Sequence, residues 1–147
     1  MTSDLLALDR QVCFALAATS RSVIAVYRPV LEPLGLTHPQ YLVMLALWDR
    51  SPRTVRDLAD TLFLESATLT PLLRRLETIG YVTRVRNPAN ERELSVGLTA
   101  RGTALRADAE SVPLSVVERL GVGVEQLEEL RDRLTDVLEA TRRMRTP

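Results

Sequence analysis

The middle of the chain changes its hydrophobic period, and this change constrains the fold more than any other feature. Apolar residues recur at helical spacing over 55–62 and again over 67–79. Apolar and polar residues then alternate over 81–86 and 93–96, which is the period of half-buried strands. The sequence therefore predicts a short helix, a tight turn and a longer helix, followed by a β-hairpin.

Small polar residues and glycine mark the ends of these segments. Thr54 precedes the first helix and Ser66 the second, and both are good N-cap residues. Phe63-Leu64-Glu65 forms the turn, and Gly80 ends the second helix at its C′ position. Residues 87–92 are rich in turn formers, so we expect a polar hairpin tip that carries Arg92.

Helical patterns also flank this region. Residues 4–30 are predicted to form one helix, which places Cys13 in its middle, where the helix dipole gives little help. Thr37 is predicted to cap a second helix that opens at His38-Pro39 and is buried over 41–48.

After the hairpin, Thr99 is predicted to cap another helix, which is interrupted at Pro113 and at Gly121 and Gly123. The last helix carries an apolar stripe that needs a partner surface: Val124, Leu127, Leu130, Leu134, Val137 and Leu138.

Composition excludes several classes of function. The chain has 147 residues with one cysteine and one histidine, so it lacks an intramolecular disulfide and a multi-thiolate or His-pair metal site. No cofactor is expected. Aromatic residues make up only 4%, which argues against a stacking platform for single strands. There is no run long enough to span a membrane and no secretory signal, so a cytoplasmic protein is expected.

The net charge is zero, but its distribution is uneven. Residues 50–106 carry 10 arginines and 6 acids, a net of +4, whereas 1–49 carry a net of −1 and 107–147 a net of −3. A local positive field of this kind is what binding to phosphates requires.

A helix pair followed by a basic hairpin predicts binding to the major groove of duplex DNA. The candidate contacts on the second helix are Ser66, Thr68, Thr70, Arg74 and Arg75. Arg92 at the hairpin tip suits a narrow minor groove, and Arg84 and Arg86 suit phosphates. The alternative is that Arg74 and Arg75 belong to a solvated helix face, paired with Glu77 or another acid.

These residues resemble the MarR family of winged-helix regulators. The resemblance rests on residues 64–77, Gly80-Tyr81-Val82-Thr83-Arg84, Asn90-Glu91-Arg92 and Leu98-Thr99-Ala100-Arg101-Gly102. Near the start, Gln11-Val12-Cys13-Phe14, Tyr27-Arg28-Pro29 and Pro39-Gln40-Tyr41-Leu42 resemble its organic hydroperoxide resistance regulator (OhrR) branch, of the one-cysteine type.

The resemblance implies a mainly α fold with a small β-hairpin wing, and a homodimer that binds an inverted-repeat operator. It implies a single domain over 1–147, with dimerisation helices at about 1–35 and 104–147 and a winged-helix region at about 36–103. It also implies a cytoplasmic repressor of an organic peroxide resistance gene, and not an enzyme.

The same resemblance assigns redox sensing to Cys13. Organic hydroperoxides would oxidise this thiolate to a sulfenic acid, which a low-molecular-weight thiol can convert to a mixed disulfide, and DNA would be released. Tyr27 matches a tyrosine that hydrogen-bonds this cysteine across the dimer, and His38 stands where a second tyrosine is expected.

Three alternatives stay open from the residues. Cys13 could be a small buried apolar residue. The signal could be a small aromatic ligand in the dimer cleft. The chain could be a cysteine peroxidase, although it has no resolving cysteine.

Overall fold

The computed structural model describes residues 4–145, apart from the side chains of Asn87, Glu91 and Arg92. Residues up to Val112 form one compact unit, and residues from Pro113 form another. The domain limits expected from the sequence remain a prediction.

The predicted helices and hairpin occur in the predicted order, with one additional short strand between the second and third helices. The helices are α1 (Val12–Leu31), α2 (His38–Asp49), α3 (Val55–Leu62), α4 (Ser66–Ile79), α5 (Ala100–Ala109), α6 (Val112–Leu120) and α7 (Val124–Arg145). The strands are β1 (Arg53–Thr54), β2 (Val82–Asn87) and β3 (Asn90–Leu98). A mainly helical chain with a hairpin wing is therefore confirmed.

The three strands form an antiparallel sheet in the order β1-β3-β2. Val82 pairs with Leu98 and Arg84 with Val96, and the register shifts between Arg86 and Asn87. The turn of the hairpin occupies only positions 88–89, since β3 already begins at Asn90. The backbone of Arg92 thus lies within β3 and not in the turn, which corrects the predicted tip, and its side chain lies outside the described residues.

The core of the first unit lies between the helices and one face of the sheet. It is built from leucine and valine side chains that are almost fully buried, among them Leu31, Leu47, Leu58, Leu69, Leu73, Leu76, Val82 and Val96. Leu72 of α4 is only half-buried.

Four of the predicted helix ends are confirmed. The Thr37 side chain accepts a hydrogen bond from the backbone amide of Gln40, and the Gln40 side chain accepts one from the backbone amide of Thr37. The two bonds form a capping box. Thr54 and Thr99 each accept one at the start of α3 and α5. Gly80 ends α4 with a positive φ of 99°, a conformation that glycine adopts without strain.

Two predicted helix starts are wrong. The chain from Leu8 to Arg10 forms a short 3-10 turn, and α1 begins only at Val12, because Gln11 is extended and its side chain donates to the Leu5 and Ala7 carbonyls. In α4 the N-cap is Glu65, so Ser66 is the first helical residue and caps nothing.

In the second unit, α7 runs for 22 residues and none of them is buried within the chain. Its apolar stripe is exposed except at Leu127, with Leu134 at 39% and Val137 at 51% of their full surface. Within the range 4–145, no helix combines the length and apolar character that a membrane span needs.

Candidate DNA interface and redox site

The turn between α3 and α4 sets the position of the longer helix. Phe63 adopts a left-handed conformation, with φ at 57°, and the amide of Leu64 donates to the Ala59 carbonyl at 2.9 Å. Together these two features terminate α3 within two residues. The start of α4 therefore projects from the surface while its other face is buried.

The exposed face of α4 runs along Ala67, Pro71, Arg74 and Thr78, at spacings of four, three and four residues. The small residues Ala67 and Pro71 form its N-terminal half, and no sequence pattern pointed to them. Their apolar surface is of the kind that contacts thymine methyl groups.

Of the predicted contact residues on α4, Arg74 lies on this face and the others lie beside it. Ser66, Thr68, Arg74 and Arg75 are exposed, and neither arginine has an ion-pair partner within the described part of the chain. Thr70 is half-buried, and its hydroxyl donates to the Ser66 carbonyl at 2.9 Å. The hydroxyl of Thr70 is thus partly used inside the helix.

Glu77 pairs with Arg84 and with neither arginine of α4. The Arg84 guanidinium donates to the Glu77 carboxylate at 3.0 Å and joins β2 to α4. This hydrogen bond, followed by the charge of Arg84, lowers the pKa of Glu77 against the opposing effect of desolvation. The Arg84 Nε is buried and has no hydrogen-bond partner in the described chain. Arg84 is therefore held in the fold, whereas Arg86 on the same strand is exposed.

A buried arginine near the interface was not predicted. Arg53 is only 7% exposed, and its guanidinium donates to Asp57, Thr61 and the Ala46 carbonyl. The hydrogen bond from Arg53 is the main reason that the pKa of Asp57 is lowered. Arg53 therefore joins β1 to α2 and α3, and it is unavailable to a ligand.

Cys13 is the second residue of α1 and is exposed within the chain. This corrects its expected position in mid-helix. Its neighbours Val12, Phe14 and Leu16 are exposed apolar side chains. No side chain caps α1, so the first backbone N–H groups of this turn have no side-chain partner.

Tyr27 and His38 lie together at the other end of α1. Their ring centroids are 4.9 Å apart in an edge-to-face arrangement, and the ring of Tyr41 lies 5.9 Å from that of Tyr27. Burial lowers the pKa of His38, which favours the neutral imidazole. Burial, and then the charge of Tyr27, raises the pKa of Tyr41.

Cys13 and Tyr27 do not meet within one chain. Both lie on α1, 14 positions apart, which corresponds to about 21 Å along the helix axis. The structure thus brings Tyr27 and His38 together and leaves Cys13 distant from both.

The described residues contain no group of three or more histidine, cysteine, aspartate or glutamate side chains that could hold a metal ion.

A helix pair, an exposed second helix and a basic hairpin define a winged helix-turn-helix regulator. The chain belongs to the MarR family of transcriptional regulators, whose model matches residues 36–94. The protein is therefore a regulator and not an enzyme.

The relatives extend the likeness beyond these residues. The organic hydroperoxide resistance transcriptional regulator of Bacillus subtilis (strain 168) is 38% identical over 136 residues, which cover 92% of this chain and 92% of that protein. The crystal structure of AbfR of Staphylococcus epidermidis is 31% identical, with a TM-score of 0.76 and coverage of 93% of both chains. AbfR has also been solved reduced and bound to DNA, overoxidized and bound to DNA, and in a disulfide-formed state.

The repressor CouR, bound to a 23-mer DNA duplex, shares the fold at 24% identity, with a TM-score of 0.81 over 94% of this chain and 99% of that one.

Proposed function

We propose that this protein is a repressor that binds an inverted-repeat operator as a homodimer and leaves it when an organic hydroperoxide oxidises Cys13. The observation that carries the proposal is the position of the chain's single cysteine, exposed in the first turn of α1 among apolar side chains. The likeness to a hydroperoxide resistance regulator over nearly the whole chain supports it.

DNA binding is assigned to the surface around α4. Ser66, Thr68 and Thr70 lie near the start of the helix, where a reading helix meets base edges. Arg86 and Arg92 belong to the wing, which would follow the backbone or enter the minor groove. DNA-bound structures of AbfR, at 32% identity, support this assignment.

The dimer would be formed by α1 and α7. Each exposes apolar side chains that a single chain leaves in water, such as Phe14 and Leu16 on α1 and Leu134 and Leu138 on α7. A second copy would also bring Tyr27 and His38 of one protomer to Cys13 of the other, a meeting that the length of α1 excludes within one chain.

The proposed chemistry at Cys13 requires two reactants, an organic hydroperoxide and then a small thiol. The thiolate attacks the terminal oxygen of ROOH, an S–O bond forms as the O–O bond breaks, and the alkoxide takes a proton and leaves as ROH. Cys13 is oxidised to sulfenic acid and the hydroperoxide is reduced to the alcohol. A small thiol can then attack the sulfenic sulfur, so that a disulfide forms and water leaves.

The test is a DNA-binding titration with the protein's own upstream DNA and cumene hydroperoxide, with and without a small thiol. We expect the native protein to lose the DNA and the Cys13→Ser variant to keep it. Mass spectrometry of each sample separates sulfenic, overoxidised and mixed-disulfide forms, which is necessary because overoxidized AbfR has been solved on DNA. Release of Cys13→Ser to the same extent as the native protein would contradict the proposal.

A further inference from the structure

A groove lies between the turn that leads into α2 and the second half of α4. Its volume is about 440 Å³, and its walls include Gly35, Thr37 and Gln40 on one side and Arg74, Arg75 and Thr78 on the other. All of these residues belong to the first compact unit.

The lining of the groove offers hydrogen-bond donors and positive charge. Arg74 and Arg75 have no ion pair within the described residues, and no carboxylate is among the lining residues. Glu77, the acid nearest to them in sequence, is held by Arg84 at 3.0 Å. Two guanidinium groups without a counter-charge favour an anion.

The α2 side of the groove adds neutral donors. Gln40 is only 4% exposed, and its carbonyl oxygen accepts from the Thr37 amide at 3.0 Å. The side-chain amide nitrogen of Gln40 has no partner in the described chain, although the residue lines the groove. The Thr37 hydroxyl accepts a hydrogen bond from the backbone amide of Gln40, so the hydroxyl proton is available for a ligand.

We propose that this groove binds a phosphate group of the DNA backbone, clamped between α2 and α4. The proposal rests on the DNA binding proposed above and separates two roles on α4. Arg74 and Arg75 follow Ser66 by eight and nine positions, or about 12–14 Å along the helix. The major groove is about 12 Å wide, so a helix whose start meets the bases carries these arginines to the level of the backbone.

The experiment measures affinity against salt concentration for the operator and for an unrelated duplex. Arg75→Ala should weaken binding about tenfold on both duplexes, and the slope of log K against log salt should fall by about one unit. Arg119→Ala, which removes an exposed arginine on α6, is the control and should change neither quantity. A loss confined to the operator would mean a base contact and would overturn the phosphate assignment.

A chemical substitution in the DNA identifies the contacted phosphate. Neutral methylphosphonates are placed one at a time along the operator backbone. At the contacted position, native protein and Arg75→Ala should bind with equal affinity, whereas elsewhere the tenfold difference should persist. If the difference persists at every position, the groove does not hold a backbone phosphate.

A free anion is the other source of the same chemistry. Inorganic phosphate is titrated into DNA-free protein while the amide NMR signals of Gly35 and Thr78 are followed. Saturation of these signals by inorganic phosphate, together with an unchanged salt slope in Arg75→Ala, would assign the groove to a free anion and overturn the DNA assignment. Absence of operator binding by the native protein would instead overturn the proposed function.

Discussion

At the scale of single residues, the close approach of α5 to the start of the sheet depends on Gly102. A Cβ atom at this position would lie 2.0 Å from the Tyr81 carbonyl oxygen, which already accepts from the Thr99 amide. The Gly102 carbonyl in turn accepts from the Trp48 indole at 2.9 Å. Helix α2, helix α5 and the residue before β2 therefore meet at Gly102, where there is no room for a side chain.

Gly102→Ala should lower the free energy of unfolding by about 2–3 kcal/mol, because backbone must move to admit the methyl group. Gly123→Ala is the matched control, since its Cβ would meet only the Gln126 side chain at 3.7 Å, and a change within about 0.5 kcal/mol is expected. Urea denaturation checks both values. Equal stability of the two variants would show that the contact at Tyr81 relaxes without cost.

Residues with local signals were predictable, and residues fixed by distant partners were not. Thr37, Thr54 and Thr99 cap helices through amides three positions away, so the sequence contains the whole interaction. Arg53 is buried because Ala46 and Thr61 come together around it, and no sequence pattern records that meeting. Its role was therefore missed.

At the scale of elements, the wing is tied to the reading helix by the ion pair of Glu77 and Arg84. The sequence suggests a phosphate contact for Arg84, whereas its guanidinium is mostly covered, with 19% of the side chain exposed. We expect Arg84 to position the hairpin relative to α4 and not to bind DNA itself.

Glu77→Gln distinguishes these two roles. If Arg84 positions the wing, Glu77→Gln and Arg84→Ala should each weaken operator binding by about two- to fivefold, because both remove the ion pair. If Arg84 binds phosphate, removing Glu77 frees its charge and should leave affinity unchanged or higher. Fluorescence anisotropy with a labelled operator measures both variants, and circular dichroism checks that they fold.

The sequence predicted which segments form helices or strands better than it predicted the residues at which those elements begin and end. The two-residue strand β1 is too short for an alternating pattern, and it exists because Arg53 and Thr54 pair with Val96 and Ser95 of β3. The start of α1 was also misplaced, since the apolar pattern continues through the 3-10 turn before it. That error moved Cys13 from the first turn of a helix to its middle.

The first turn of α2 connects the candidate redox site to the candidate DNA interface. Thr37 and Gln40 line the groove beside Arg74 and Arg75, while His38 between them contacts the ring of Tyr27. A change at Tyr27 or His38 thus acts on residues adjacent to a wall of the proposed phosphate site. Under the proposed function, oxidation would therefore have a short physical route to the DNA surface, through one helical turn.

At the scale of the whole molecule, a dimer is needed for both proposed activities. The apolar stripe of α7 is exposed within the chain, so one charged substitution in it should separate two copies. Leu134→Glu should sediment as a monomer and bind the operator at least about 100-fold more weakly, since two linked half-site contacts are lost. Thr135→Glu adds the same charge beside the stripe and should remain dimeric.

The Leu134→Glu variant, as a monomer, also tests how the thiol of Cys13 is activated. Because about 21 Å of α1 separates Cys13 from Tyr27, and His38 lies beside Tyr27, these two groups can reach the sulfur only from a second chain. Cys13 in Leu134→Glu should therefore react with cumene hydroperoxide as slowly as in a dimeric Tyr27→Phe variant, and both more slowly than in Thr135→Glu. Stopped-flow assays of the remaining thiol give the three rates. A monomer that reacts as fast as the native dimer would mean that the N-terminal turn of α1 alone activates the thiol, and that the partner chain contributes nothing to sensing.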